Sequence, residues 1–165
     1  MSERAVEAGD PVPPFAVTCD DGETLTHETI RGRPWVIWFY PKDDTPGCTR
    51  EARDFSGLAE AFRRLGVDLL GISMDPPERH RRFREKHGLA VRLATDADGR
   101  VHRAFGAWGS KNRYGRVVEG VIRSTFLIGA DGRILRVWRN VRVPGHAERV
   151  LAEAERRLGR QEAAS

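Results

Sequence analysis

The sequence predicts an α/β protein, a mixed β-sheet flanked by helices with a β-hairpin at its N-terminus. Three observations predict it. Two continuous apolar runs, Trp35–Tyr40 and Val67–Ser73, are short and bounded by turn formers, as strands covered on both faces are. The stretch between them changes period: from Cys48 to Leu65 the apolar residues Ala52, Phe55, Leu58, Ala59, Phe62 and Leu65 repeat at helical spacing. Further on, Ser124–Ile128 and Ile134–Trp138 flank Asp131-Gly132, a hairpin pattern. Alternation ending in a hairpin implies strands of both directions with helices on both faces.

The remaining elements follow in order. Residues 9–14 end in adjacent prolines, which lack backbone donors and predict an extended lead-in. Phe15–Thr18 and Thr24–Thr26 surround the turn Asp20-Asp21-Gly22 and make the N-terminal hairpin. Pro41 stops the first buried strand, and the loop Lys42–Gly47 leads to Cys48. Gly66 closes the helix that follows. Pro76 and Pro77 open a second helix that runs to His87 and is closed by Gly88. Val91–Ala94 reads as a strand, Ala97–Phe105 as a short helix, Gly106–Gly120 as a long loop, and His146–Leu158 as a last amphipathic helix, fraying after Gly159. No repeat or linker divides the 165 residues, so one domain over 1–165 is expected.

Hydrophobic residues make up 39% and charged residues 32%, enough apolar material for a core without staples. The net charge is +4, and the cations are mostly arginine, with lysine only at positions 42, 86 and 111. The densest run, Glu78–His87, intersperses acids with the arginines. It reads as a solvated helix face and not as a nucleic-acid stripe, which would concentrate positive charge. No stretch approaches the roughly 18 apolar residues of a membrane span. Two cysteines, Cys19 and Cys48, are too few for a secreted disulfide framework; a soluble cytoplasmic protein with reduced thiols is expected. His27, His80, His87, His102 and His146 lack metal-site spacing, and no glycine-rich phosphate loop is present. Neither a metal nor an organic cofactor is expected. Trp35, Trp38 and Trp138 lie in strand patterns and are expected in the core; Trp108 is placed to border a pocket.

Cys48 stands after a buried strand and at the mouth of a helix. The first helical turn carries free N–H groups and partial positive charge, which stabilise a thiolate. Thr45, three residues earlier, brings a hydroxyl to the same side, able to accept from one group and donate to another. The bland reading is an inert buried thiol with Thr45 as a helix cap.

The stretch Phe39-Tyr40-Pro41-Lys42-Asp43-Asp44-Thr45-Pro46-Gly47-Cys48-Thr49-Arg50-Glu51 resembles the active-site signature of the peroxiredoxins, most closely the bacterioferritin-comigratory (Q-type) subgroup. Val67–Ser73, Phe105–Gly109 and Arg123–Ile128 add blocks in the family's order, and the resemblance covers about residues 8–158. It implies a thioredoxin-like fold and an antioxidant thiol peroxidase acting on hydrogen peroxide and organic hydroperoxides. Position by position, it makes Cys48 the attacking cysteine, Thr45 the group that orients the peroxide, Pro41 a shield of the sulfur and Arg123 a cation that reaches it. Glu51 matches a common family position and supports the arginine. A guanidinium beside Cys48 would balance the thiolate and polarise the O–O bond.

The pattern departs at the second cysteine. Many members of the subgroup carry a resolving cysteine five residues after the first, where this chain has Arg53, and the second helix has none either. Cys19 is the one remaining candidate, and a disulfide needs Cα atoms within about 7 Å. A one-cysteine cycle is therefore expected, with thioredoxin, glutaredoxin or a low-molecular-weight thiol as external reductant and the chain a monomer. Two other readings compete. A disulfide oxidoreductase needs Cys-x-x-Cys, and Thr45 fills the first of those positions. A non-catalytic binding or chaperone module on the same fold is separated only by activity.

Overall fold

Every residue of strand β3 (Trp35–Phe39) is buried, and the rest of the sheet is built outward from it. The computed structural model describes residues 6–164. The other strands of the main sheet are β1 (Ala16–Cys19), β2 (Thr24–Thr26), β4 (Asp68–Ser73), β5 (Arg92–Thr95), β8 (Ser124–Ile128) and β9 (Ile134–Arg139), in the order β2-β1-β5-β4-β3-β8-β9. β3, β4 and β5 run parallel; β1, β2, β8 and β9 join antiparallel. The sheet is mixed, as the alternation of patterns predicts.

Strand periodicity sorts the core into two layers. Trp35, Ile37 and Phe39 pack on one face with Phe126 and Ile128, Cys19 of β1, and Val101 and Phe105 of helix α4 (Arg100–Phe105). Val36, Trp38 and Tyr40 pack on the other, against α1 (Pro46–Gly57), α2 (Ala59–Arg64), α3 (Pro77–His87) and α5 (His146–Ala164). There the Trp38 ring stacks on Phe55 of α1, centroids 4.4 Å apart and planes 19° from parallel, worth about 0.5–1.5 kcal/mol beyond the area buried. The stack is flush with the neighbouring strand, so Gly71 of β4 has no room for a side chain: a Cβ there would lie 2.8 Å from the Trp38 ring.

Four expectations need correction. The segment 106–120 is not a loop but a two-stranded ribbon, β6 (Trp108–Arg113) paired with β7 (Arg116–Val121). Tyr114 and Gly115 both take positive φ, 54° and 77°, the two-residue turn whose twist suits a hairpin. The helix expected over 48–65 begins two residues earlier, because Pro46 fits the first helical position, and divides at Leu58, whose φ of −103° and ψ of 5° leave the helical range. α5 continues past Gly159 to Ala164 where fraying was expected. Trp138 is only half-buried, edge-on to His146 and beneath the guanidinium of Arg136. Trp35 and Trp38 are buried as expected.

Gly71→Ala should lower stability by about 1–3 kcal/mol, the cost of overpacking a filled core, read as a lower urea midpoint with an unchanged slope. An unchanged midpoint would mean that Trp38 can turn aside.

Candidate active site

The antiparallel pairing of β3 with β8 sets Phe39 opposite Ser124. It thereby brings the end of one strand, where the Cys48 loop departs, beside the start of the other, where Arg123 sits. Two residues 75 positions apart in sequence meet there. The Arg123 guanidinium donates from Nη2 to Cys48 Sγ at 3.3 Å and from Nη1 to Glu51 Oε1 at 2.7 Å. Val141 pins the Arg123 backbone, donating its N–H to the Arg123 carbonyl at 3.0 Å. A Cβ at Gly47 would stand 3.4 Å from Nη2, an ordinary contact distance.

Cys48 is the third residue of α1 and 1% exposed. The first bond of the helix runs from the Thr49 N–H to the Thr45 carbonyl, so the Gly47 and Cys48 N–H groups have no intrahelical acceptor. Thr45 is half-buried at the N-cap and makes no side-chain cap bond. Its hydroxyl donates to the Lys42 carbonyl at 2.8 Å, which leaves its lone pairs open to accept. Pro41 lies exposed where the loop begins.

Glu51 is 1% exposed, one turn beyond the cysteine. Burial pushes its carboxyl up from the ordinary 4.5 to about 7, outweighing the opposing pull of Arg123. Its Oε2 has no hydrogen-bond partner among the described residues, which is why one guanidinium contact does not offset the lost hydration. Arg123 stays cationic, held above the ordinary arginine range by Glu51 and Cys48 against the cost of its own burial. His146 lies behind this group with Nε2 2.8 Å from Thr125 Oγ1; burial, with Arg149 and Arg123 nearby, drops it to about 4, so it is neutral at physiological pH.

The loop is held from beneath by a polar cluster that the sequence did not single out. Asp43 is fully buried. It accepts from the Tyr40 hydroxyl, its Oδ2 lies 2.6 Å from His80 Nδ1 on α3, and its N–H donates to Asp75 Oδ2 at 2.8 Å. The other nitrogen of His80, Nε2, meets the Ala94 carbonyl at 2.9 Å. Asp44, at a φ of 61°, pairs outward with Lys86 and His87 at 2.7 and 2.8 Å. A signal was available: His80, Phe83 and His87 recur at positions that share one helix face, and a histidine in register with a core phenylalanine is an inward one.

The two cysteines are kept apart. Both are free and buried, yet Cys48 belongs to the core layer on one face of the sheet and Cys19 to the layer on the other. Burial pushes the Cys19 thiol up to about 11. Trp108 stacks under the Arg103 guanidinium, 4.7 Å from its ring centroid. Among the described residues, no cluster of three or more histidines, cysteines or carboxylates could hold a metal.

Comparison with known proteins bears on the family and the fold. The model of the AhpC/TSA family matches residues 8–137. The chain is 40% identical over 146 residues to the peroxiredoxin Bcp of Bacillus subtilis, covering 88% of this chain and 93% of that one. It is 45% identical over 152 residues to the Xanthomonas campestris peroxiredoxin Bcp, covering 92% and 95%. The solved structure of the X. campestris bacterioferritin comigratory protein, described for its alkyl peroxide reduction activity, superposes with a TM-score of 0.83 at 40% identity, covering 87% of this chain and 92% of that one. The thioredoxin-like peroxiredoxin fold is thus shared with close sequence relatives over nearly their whole lengths. The chain belongs to the AhpC/TSA family, among the peroxiredoxins of the bacterioferritin-comigratory type.

Proposed function

We propose that the chain is a thiol-dependent peroxidase in which Cys48 attacks hydrogen peroxide and organic hydroperoxides. The observation that carries this is the Arg123 guanidinium 3.3 Å from a sulfur buried in the first turn of a helix. A thiolate there faces a fixed cation and unpaired N–H groups at once. It attacks the terminal peroxide oxygen; the S–O bond forms as the O–O bond breaks, and the leaving oxygen takes a proton and departs as water or an alcohol. Sulfur gives up two electrons and becomes a sulfenic acid. Arg123 and the N–H groups balance the charge that moves onto the leaving oxygen. Thr45, whose hydroxyl is committed only as a donor to Lys42, accepts from the peroxide and sets its angle. Glu51 positions the guanidinium. The shielding of the sulfur is assigned to Pro41 on the family resemblance alone. The alkyl peroxide activity described for the X. campestris protein supports organic hydroperoxides as substrates.

The sulfenic acid is then reduced by an external thiol: thioredoxin, glutaredoxin or a small thiol. Three features support a one-cysteine cycle. Arg53 occupies the position of the nearby second cysteine, Cys19 packs across the sheet, and its thiol is held in the un-ionised form. We assign the activity to a single domain over residues 1–165, core about 8–158, working as a monomer in the cytoplasm, where reduced thiols are available; no helix among the described residues is long and apolar enough to cross a membrane.

One equivalent of hydrogen peroxide should give a sulfenic-acid trap adduct at Cys48, read by intact mass, that persists in Cys19→Ser and is absent in Cys48→Ser. A loss of two hydrogens abolished by either change would make Cys19 the resolving residue, and an unreactive Cys48 would remove the peroxidase reading. Arg123→Ala should slow sulfenic-acid formation by about 10²–10³-fold, the range for loss of one preorganised donor, measured by stopped-flow tryptophan fluorescence. The raised carboxyl of Glu51 predicts the sign of a pH effect. Between about 4.5 and 7 the folded chain holds a proton there that the unfolded chain has lost, so this group's contribution falls as pH rises through that window. Glu51→Gln should flatten the difference in urea midpoint between pH 5 and pH 8; an undiminished slope would put the titration elsewhere.

A further inference from the structure

An open groove of about 600 Å³ runs along the outer side of α1, lined by Asp44, Pro46, Thr49, Arg50, Arg53 and Asp54. That volume is in the range of about 300–1,000 Å³ in which small molecules are held. It begins at the loop that delivers Cys48 and extends over the first two turns of the cysteine's own helix. The peroxidase step makes no use of it: Cys48, Glu51, Ala52 and Phe55 turn inward from the same helix.

The charges in the groove are unevenly committed. Asp44 is already held by Lys86 and His87. Asp54 meets Arg50 only at 3.8 Å, and the Arg50 side chain is 60% exposed. Arg53 makes no hydrogen bond or ion pair among the described residues and acts on Asp54 only through space. The groove therefore presents two guanidinium groups whose hydrogen-bonding edges are largely unspent, and a guanidinium fork matches a carboxylate.

We propose that this groove seats the reductant of Cys48, and that the reductant is a low-molecular-weight thiol bearing carboxylates. This rests on the peroxidase reading above. A thiol held by Arg53 sits five residues along the helix from the cysteine, about 7.5 Å of helix rise. Cys48 is 1% exposed, so the first turn must loosen before a thiol can reach the sulfur. A reductant already seated on that turn is in position when it does. The chemistry balances in two exchanges. The first thiol attacks the Cys48 sulfenic sulfur; an S–S bond forms, the S–O bond breaks, and the hydroxyl leaves with the thiol proton as water. The second thiol attacks the outer sulfur of the mixed disulfide, releasing the small-molecule disulfide and returning Cys48 as a thiolate. Two thiols are oxidised for each peroxide reduced.

The test starts from the Cys48 sulfenic acid, formed with one equivalent of hydrogen peroxide and then mixed with glutathione or with uncharged 2-mercaptoethanol. Formation of the mixed disulfide is followed by intact mass, and each rate is corrected for the thiolate present. The expected result is a rate for glutathione about tenfold or more above that for 2-mercaptoethanol, as one charge-assisted hydrogen bond provides. The advantage is lost in Arg53→Glu and retained in part in Arg53→Lys. Equal corrected rates in the wild type, or a preference for glutathione that survives in Arg53→Glu, overturn the proposal while leaving the peroxidase intact. Absence of any sulfenic acid on adding peroxide overturns the peroxidase reading and this proposal with it.

Discussion

A guanidinium shared between a thiol and a buried carboxylate is the contact on which the rest of the site depends. Arg123 can make it only because β3 and β8 run antiparallel and side by side, which places the exit of one strand at the entrance of the other. Each partner solves a problem for the next. The sulfur gains a fixed positive charge, the guanidinium gains acceptors in a place with little water, and the carboxylate gains a cationic partner. The arrangement is costly to Glu51, whose second oxygen is buried without a hydrogen-bond partner among the described residues.

The support beneath is equally specific. The loop from Pro41 to Gly47 has no regular hydrogen-bonding partner of its own, and a loop without one is ordinarily mobile. Here its backbone is tied to Asp75 through Asp43, and Asp43 is itself held by Tyr40 and His80. Removal of one member would leave the others as buried polar groups without partners, which is more costly than never having had the network. The loop is thus tied, through Asp43, to Tyr40 just past β3, Asp75 just past β4 and His80 of α3.

The core elements were legible because their periods are unambiguous. Trp35–Phe39 and Ser124–Ile128 are buried throughout, and buried strands read as unbroken apolar runs. The ribbon of β6 and β7 was missed for the converse reason. Its strands bury little, carry Lys111, Arg116 and Glu119, and leave Tyr114 and Val117 exposed, so no hydrophobic pattern marks them. Only the turn at Tyr114-Gly115 did, and one glycine among several is a weak mark. In the site, Cys48 and Thr45 could be argued from local position. Arg123 came from family resemblance, because nothing in a chain with this many arginines singles out one that will meet a residue 75 positions away. The cluster of Asp43, His80 and Tyr40 left only the spacing of His80 with Phe83 as a mark, and a histidine in the middle of an arginine-rich helix looks solvated until its face is known.

The placement of the two thiols on opposite faces of the sheet has a kinetic consequence. In the one-cysteine cycle proposed above, no partner within the chain intercepts the oxidised sulfur, so its lifetime is set from outside. At each turnover the sulfenic acid either meets a thiol and recovers or meets a second peroxide and is lost as a sulfinic acid. The chance of loss is then a ratio of two rates, one proportional to peroxide and the other to thiol. A molecule built this way keeps a running record of that ratio. The surviving fraction of active chains falls in proportion to how often the surrounding thiol pool has been outpaced.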